Sequence, residues 1–326
     1  MQKGKVAGTR GIPRPEHPRP QFMRETWKNL NGTWTFVFDP GQSGMERGLA
    51  ASRGFDREIR VPFCPESRLS GVAHTDFIGR MWYHREVAIP RAWDGRRILL
   101  HFGAVDFACE AFIDGQPVGT HVGGSSSFTF DITAQVQAGK RHHLVLHVQD
   151  DTRSGAQAGG KQSVRHASHG CSYTRVTGIW QTVWLEAVAP GGLEQVQVMP
   201  DLDGGRFVVV PRYRAVARGL RLRARLFDGK RKVDEVVVPV GQNAACALSA
   251  GRKSKAWSPE SPFLYDLTFE VLDGGGHVLD LVRSYAGLRK VHVEGGRVYL
   301  NNQPRYLRLV LDQGFYPEGI WTAPTD

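Results

Sequence analysis

Between residues 32 and 38 the chain reads Gly-Thr-Trp-Thr-Phe-Val-Phe, which sets Trp34, Phe36 and Phe38 on one face at a period of two, the repeat of a half-buried strand. Runs of the same kind recur at residues 59–63, 80–89, 97–102, 108–113, 127–130, 142–149 and 182–187. Turn clusters such as Asp94-Gly95, Asp114-Gly115 and Gly123-Gly124 separate them. No helical period intervenes, so the pattern predicts a two-sheet sandwich rather than alternating strands and helices. A second set at 207–213, 220–227, 232–240 and 265–272, beginning near Gly191-Gly192 and reaching Ala286, predicts an immunoglobulin-like sandwich of about one hundred residues. It lacks the Cys-Trp-Cys signature of antibody domains, so architecture alone is predicted.

Two segments fall outside these sandwiches. Residues 1–24 read as an extended arm, because Pro13, Pro15, Pro18 and Pro20 exclude regular helix. After Gly287-Leu288-Arg289 come a strand, a turn at Glu294-Gly295-Gly296, a strand at 297–300, a turn at Asn301-Asn302-Gln303-Pro304 and a run at 306–311. That last run is predicted to be a strand with no partner downstream. Val310, Leu311, Phe315 and Trp321 are predicted to form an exposed apolar patch.

Composition narrows the function classes. The length of 326 residues suits two domains on a prior of ~150 residues each, and 38 Gly with 18 Pro favour turns and strands over long helices, an all-β body. Forty-two basic against 32 acidic residues leave a net charge of +10, with Arg scattered along the whole length. No nucleic-acid-binding module accompanies it, and the densest stretch, 212–232, alternates Arg with apolar residues as a strand with one solvated face does. Cys64, Cys109, Cys171 and Cys246 show no paired spacing, which argues against a disulfide framework or a metal knuckle. The polar, Pro-rich start carries no signal-like stretch, and no segment approaches the ~18 apolar residues of a membrane span. A cytoplasmic, reduced setting without membrane attachment is expected.

Five strings then occur in order: GRMWYHREVAIP, HFGAVDFACEAFIDGQPVGTHVGGSSSFTFDIT, LVLHVQDDT, GKQSVRHASHGCSYTRVTGIWQTVWLE and GLRKVHVEGGRVYLNNQPRYLRLVLDQGFYPEGIWTAPTD. Together they resemble the amino-terminal half of glycoside hydrolase family 2, which includes β-galactosidases, β-glucuronidases and β-mannosidases. The resemblance runs from about residue 20 to the end. It implies a galactose-binding-like jelly roll at 25–190, an immunoglobulin-like sandwich at 191–286 and, at 287–326, the first strand of a (β/α)8 barrel that is truncated here. The implied activity is hydrolysis of β-glycosidic bonds with retention, with a β-galactoside as the first expectation, no cofactor, a carbohydrate partner and a possible homo-oligomer.

Most of these strings are scaffolding. Asp114-Gly115 and Gly123-Gly124 supply corners at positive φ, Phe128, Phe130 and Ile132 alternate into a core, and Trp180 and Trp184 bury large areas. Asp150 stands where the family places an acid at a strand end, and is read either as a ligand for sugar hydroxyls or as a solvated turn residue like Asp151. Lys161, Gln162 and Tyr173 match a family subset reading GKQ…WYT, with donors for sugar oxygens and a stacking face. Ser172 departs from it where an aromatic is usual. Asp312 and Gln313, with Glu318, follow the last run, at the strand end where barrel enzymes build their sites. The family draws its two catalytic carboxyls from later barrel strands, so no catalytic residue is expected in this chain. His166, His169 and Cys171 lack a fourth ligand nearby and read as loop residues rather than a zinc site. A stand-alone carbohydrate-binding or subunit-interaction module is the competing reading, and a basic nucleic-acid binder the third.

Overall fold

The computed structural model of the chain describes residues 11–241 and 244–325. Among them regular structure is β-strand, apart from single-turn 3-10 helices at Leu49–Ala51, Arg68–Ser70 and Arg91–Trp93. The all-β expectation holds. Backbone contacts group residues 11–18, 27–187 and 313–325 into one unit and residues 19–26 and 188–312 into another.

The first unit contains a six-stranded antiparallel sheet in the order Arg57–Val61, Gly32–Phe38, Arg80–Ala88, Arg141–Gln149, Ala108–Ile113, Gln116–Val122. Its partner sheet runs Trp27–Asn29, Val183–Val188, Arg97–Phe102, Phe128–Asp131. Trp34, Phe36, Met81, Tyr83 and Leu146 from the first sheet and Leu100, Phe102, Val183 and Leu185 from the second form one buried cluster, with Phe38 packed at its margin. Each fully buried side chain of this size contributes roughly 1.5–3 kcal/mol by leaving water. Trp82 faces the other way, onto Phe112 and Val145 beneath Leu49, Ala50 and Phe55. That second small core explains why Met81, Trp82, Tyr83 and His84 are buried one after another in strand Arg80–Ala88 instead of alternating.

The predicted corners differ in kind. Asp114 and Gly115, at φ 49° and 80°, make a two-residue hairpin loop between paired Ile113 and Gln116. Gly123 sits at φ 128°, but Gly124 does not share the positive φ expected of it. Its small size serves close approach, since a Cβ there would lie 2.0 Å from Asp106 Oδ1.

In the second unit, strands Leu193–Asp201, Arg206–Tyr213 and Cys246–Ser249 form one sheet, and Arg231–Pro239, Arg221–Asp228, Tyr265–Leu272 and Val278–Ala286 another. Phe207, Val209 and Leu248 meet Leu222, Leu226, Leu267 and Phe269 in a common core. Strand Arg221–Asp228 turns Leu222, Ala224 and Leu226 inward, while Arg225 bonds Glu235 at 2.7 Å and Glu270 at 3.3 Å. The Arg-rich stretch is thus a strand whose outer cations meet acids of neighbouring strands. Inside this unit Arg24 is buried and grips Asp280 with Nε at 2.8 Å and Nη2 at 2.9 Å; Asp280 also accepts from the Leu193 amide at 2.8 Å.

Strands Val291–Glu294 and Arg297–Leu300 pair as predicted and are joined by Gln303–Pro304. The run at 306–311 is no strand: Tyr306, Val310 and Leu311 are 86%, 93% and 85% exposed. Its β-branched and apolar character does not suffice without a strand to pair with. The predicted patch is corrected at its other end, where Phe315 and Trp321 are partly buried against Cys64, Val176 and Ile320.

Candidate functional site

Strand Arg141–Gln149 delivers Asp150 to the sheet end, where its amide donates to the Gly79 carbonyl at 3.0 Å. Its side chain is buried rather than solvated. Oδ1 accepts from Gln157 Nε2 at 2.6 Å and Oδ2 from Thr177 Oγ1 at 2.9 Å. The Thr177 amide in turn donates to Glu66 Oε2 at 3.2 Å, so one threonine ties two buried carboxyl groups together. A third, Asp106, accepts from Gln162 Nε2 at 2.6 Å, and Gln162 Oε1 accepts from the Val176 amide at 2.8 Å.

No basic side chain hydrogen-bonds these three carboxyls among the described residues. The nearby buried guanidinium of Arg175 instead donates to the carbonyls of Ser163 at 3.1 Å, Arg165 at 2.5 Å and Thr75, and lies 3.9 Å over the Phe77 ring. Burial therefore dominates their acidity. It pushes Glu66 up to about 8, against the pull of donors from Thr177. Asp106 rises to about 7 through burial and the charge of Asp150. Asp150 reaches about 6, burial being partly offset by Gln157 and Thr177. Glu66 Oε1 and Asp106 Oδ1 accept no hydrogen bond among the described residues, an arrangement a neutral carboxyl tolerates far better than a carboxylate.

Lys161, Tyr173 and Gln313 come together beside this network. Exposed Lys161 donates to Gln313 Oε1, and Tyr173 stacks on Phe315 with ring centres 4.8 Å apart. Gln162 is buried in the network itself, while Asp312 is exposed and belongs to the second unit. Residues 315–322 are held by Ser67 Oγ donating to the Glu318 carbonyl at 2.7 Å and by Thr322 Oγ1 donating to the Trp180 carbonyl at 2.5 Å. Trp180 Nε1 donates to the Gly124 carbonyl at 2.7 Å. His169 bonds Ser163, His166 packs on Phe77, and Cys171 is exposed. Among the described residues no group of three or more His, Cys, Asp or Glu is placed to hold a metal ion.

Asp150 stands between two cavities of about 130 and 260 Å³, which share Gly79, Asp150 and Asp151. Phe77, Arg153 and Arg175 line the smaller; Arg80, Phe107 and Gln149 the larger. Amides, guanidiniums and carboxyls beside two aromatic rings suit a hydroxyl-rich ring molecule with one apolar face. Sequence reasoning missed Glu66, Asp106, Thr177 and Arg175. The available signal was a lone acid inside an apolar string, as in Phe-Cys-Pro-Glu and Gly-Ala-Val-Asp-Phe.

Two units of antiparallel sheets, one of them with buried carboxyls and two cavities at a strand end, define an all-β protein. The chain belongs to glycoside hydrolase family 2: residues 69–211 match the family model described as "Glycosyl hydrolases family 2, sugar binding domain" and residues 212–289 the one described as "Glycosyl hydrolases family 2", together more than half the chain. A β-glucuronidase of Paenibacillus borealis is 24% identical over 89% of this chain and 50% of its own length. A β-galactosidase of Aeromonas hydrophila is 28% identical over 85% of this chain and 26% of its own. The crystal structure of Ruminococcus gnavus β-glucuronidase superposes with a TM-score of 0.76 at 22% identity, over 92% of this chain and 51% of that one, which establishes likeness of fold. The chain spans half or less of the length of these two curated relatives.

Proposed function

We propose that this chain supplies the amino-terminal, sugar-binding portion of a retaining β-glycosidase. On this reading residues 25–190 are a galactose-binding-like jelly roll, 191–286 an immunoglobulin-like sandwich and 287–326 the opening of a (β/α)8 barrel. Such enzymes work by double displacement between an acid/base and a nucleophile carboxyl about 5 Å apart. Both carboxyls are assigned to barrel strands beyond these residues, so residues 1–326 alone are inactive. The observation that carries the reading is Asp150: a strand-end carboxyl lining two cavities, each oxygen holding one donor and keeping a lone pair for a sugar hydroxyl. Lys161, Tyr173 and Gln313 add a cation, a ring and an amide in the same unit, outside the linings of both cavities, and Gln162 acts through Asp106. The first substrate expectation, a β-galactoside, shares the relatives' names with a β-glucuronide, and the two differ at C6, hydroxymethyl against carboxylate.

Purified residues 1–326 should turn over neither aryl β-galactosides nor aryl β-glucuronides, while binding the corresponding methyl glycosides in saturation-transfer NMR. Asp150→Asn should weaken that binding. Turnover abolished by Asp312→Asn or Glu318→Gln would sink the proposal. The docking of residues 315–322 onto Ser67 and Trp180 favours a second reading, a noncatalytic carbohydrate-binding module. A monomer in sedimentation would support the module; self-association through residues 306–311 would support the barrel reading.

A further inference from the structure

Residues 40–56 join strands Gly32–Phe38 and Arg57–Val61 and cover part of the outer face of the six-stranded sheet, with Leu49, Ala50 and Phe55 packed on Trp82, Phe112 and Val145. The two ends of this cover are fastened differently. At the first, buried Asp39 accepts the amides of Ser43 at 3.1 Å and Gly44 at 2.9 Å and Trp82 Nε1 at 3.1 Å. At the second, the Phe55 amide donates to Thr35 Oγ1 at 3.1 Å, that hydroxyl meets His84 Nδ1 at 3.2 Å, and His84 Nε2 meets His143 Nδ1 at 2.9 Å. Strand pairing sets Thr35 directly opposite His84 and brings His143 in from the next strand. A carboxylate secures one end and a pair of imidazoles the other.

We infer that residues 40–56 form an acid-released cover, whose Phe55 end is held to the sheet through the His84–His143 hydrogen bond and lets go when both imidazoles carry protons. A bond between two ring nitrogens needs a proton on one and a lone pair on the other, so it survives one added charge and fails with two. The nearest carboxylates are engaged: Glu86 binds Arg141, and Asp114 accepts His142 Nδ1 at 2.6 Å and the His143 amide at 2.8 Å. Glu58 and Glu110, opposite Thr35 and His147 in the register, are exposed and half-buried, and the cover's own Glu46, Arg47, Arg53 and Asp56 are exposed. Farther along the same face His147 stacks on Trp82, and burial, with the charge of Arg80, takes it down to about 4, so it stays neutral as the pair titrates. Burial, then the charge of His143, holds His84 below the ordinary imidazole value, while Glu86 pulls the other way. Such a histidine contributes stability that is complete above its unfolded value and is lost as pH falls through the folded one. Glu66 and Asp106, raised by burial, act in the opposite direction and stabilise the unit most in acid. Loosening of the cover is therefore separable from unfolding of the sandwich. At the Asp39 end burial is outweighed by donors from Trp82, Gly44 and Ser43, which keep that carboxylate below its ordinary value and its grip intact in mild acid.

Amide hydrogen exchange of residues 44–55 in the chain 1–326, read by mass spectrometry between about pH 7.5 and about pH 5.5 and corrected for the intrinsic rate, tests the inference. Protection there should fall by roughly tenfold per pH unit below ~6, the uptake of one proton on opening, while strands Arg80–Ala88 and Arg141–Gln149 keep theirs. His143→Gln leaves a carbonyl to accept from His84 Nε2 and cannot gain a charge, and His84→Gln removes the other titrating ring. Each should hold the change over the same range to less than about threefold, with a cooperative melt at neutral pH showing that the variant folds. Equal protection at both ends of the range, a loss shared by every strand of the sandwich, or a pH response that persists in both variants overturns the inference. No sugar enters these measurements, so their outcome is independent of the function proposed above.

Discussion

The two units bury acids in opposite ways. In the second, Asp280 is held by both nitrogens of Arg24's fork and by a backbone amide, so its charge is matched inside the core. In the first, Glu66, Asp106 and Asp150 share a buried network of threonine, glutamine and backbone donors, with no cation hydrogen-bonded to them among the described residues. One solution keeps the charge and supplies a partner; the other discards the charge by keeping the proton. The first gives a paired buried contact, the second a region whose stability titrates near neutral pH.

Breaking the ion pair should have the largest effect. Asp280→Asn or Arg24→Met strands a buried partner and should cost about 3–5 kcal/mol in urea denaturation, whereas Arg24→Met with Asp280→Leu together should cost less than either alone. A double variant as unstable as the singles combined would show that the pair is not the unit of stability. Next comes the pH response of the carboxyl network. Acids whose folded pKa is raised contribute stability that is complete below their unfolded values, and it is lost as pH rises through the folded ones. For Glu66 that window runs from 4.5 to about 8. Glu66→Gln should flatten the fall in stability across it by up to ~1.4 kcal/mol per pH unit, the worth of one proton. An unchanged slope would remove Glu66 from the network.

Gly124→Ala tests the packing that shuts Asp106 away from water. The added methyl meets the carboxyl head-on, and about 1–3 kcal/mol of destabilisation should follow, read as a lower Tm. Lys161→Ala, which breaks only an exposed contact to Gln313, should change stability by less than about 0.5 kcal/mol while still altering sugar affinity. A large loss of stability there would mean that the contact serves folding more than binding.

Much of the fold was legible where one strand face was apolar and the other wet. Strands Ala108–Ile113 and Tyr265–Leu272 begin and end where the pattern and turn residues place them, while Arg97–Phe102, buried along nearly its whole length, was legible as an apolar run between Asp94-Gly95 and Gly103. Edge strand Gln116–Val122 was missed because none of its residues is fully buried, so it carries no alternating signal. Residues 306–311 show the converse, an apolar run with strand propensity and no neighbouring strand to realise it. In the candidate site, Asp150 was visible as an acid ending a strand. Its neighbours were hidden because they come from distant chain: Glu66 and Thr177 are 111 positions apart, Asp106 and Gln162 are 56. A single sequence contains no local pattern that links such residues, and Gln162, read as a donor to sugar, turns out to donate to Asp106.

The proton-retaining network also alters what the chain does to its solvent. Near pH 6 the unfolded chain has Glu66 and Asp106 ionised, whereas in the folded chain burial keeps both largely protonated. Folding therefore draws hydrogen ions out of solution. Dilution from urea into a weakly buffered indicator dye should turn the medium more alkaline as the first sandwich closes, and alkaline refolding buffers should lower the yield.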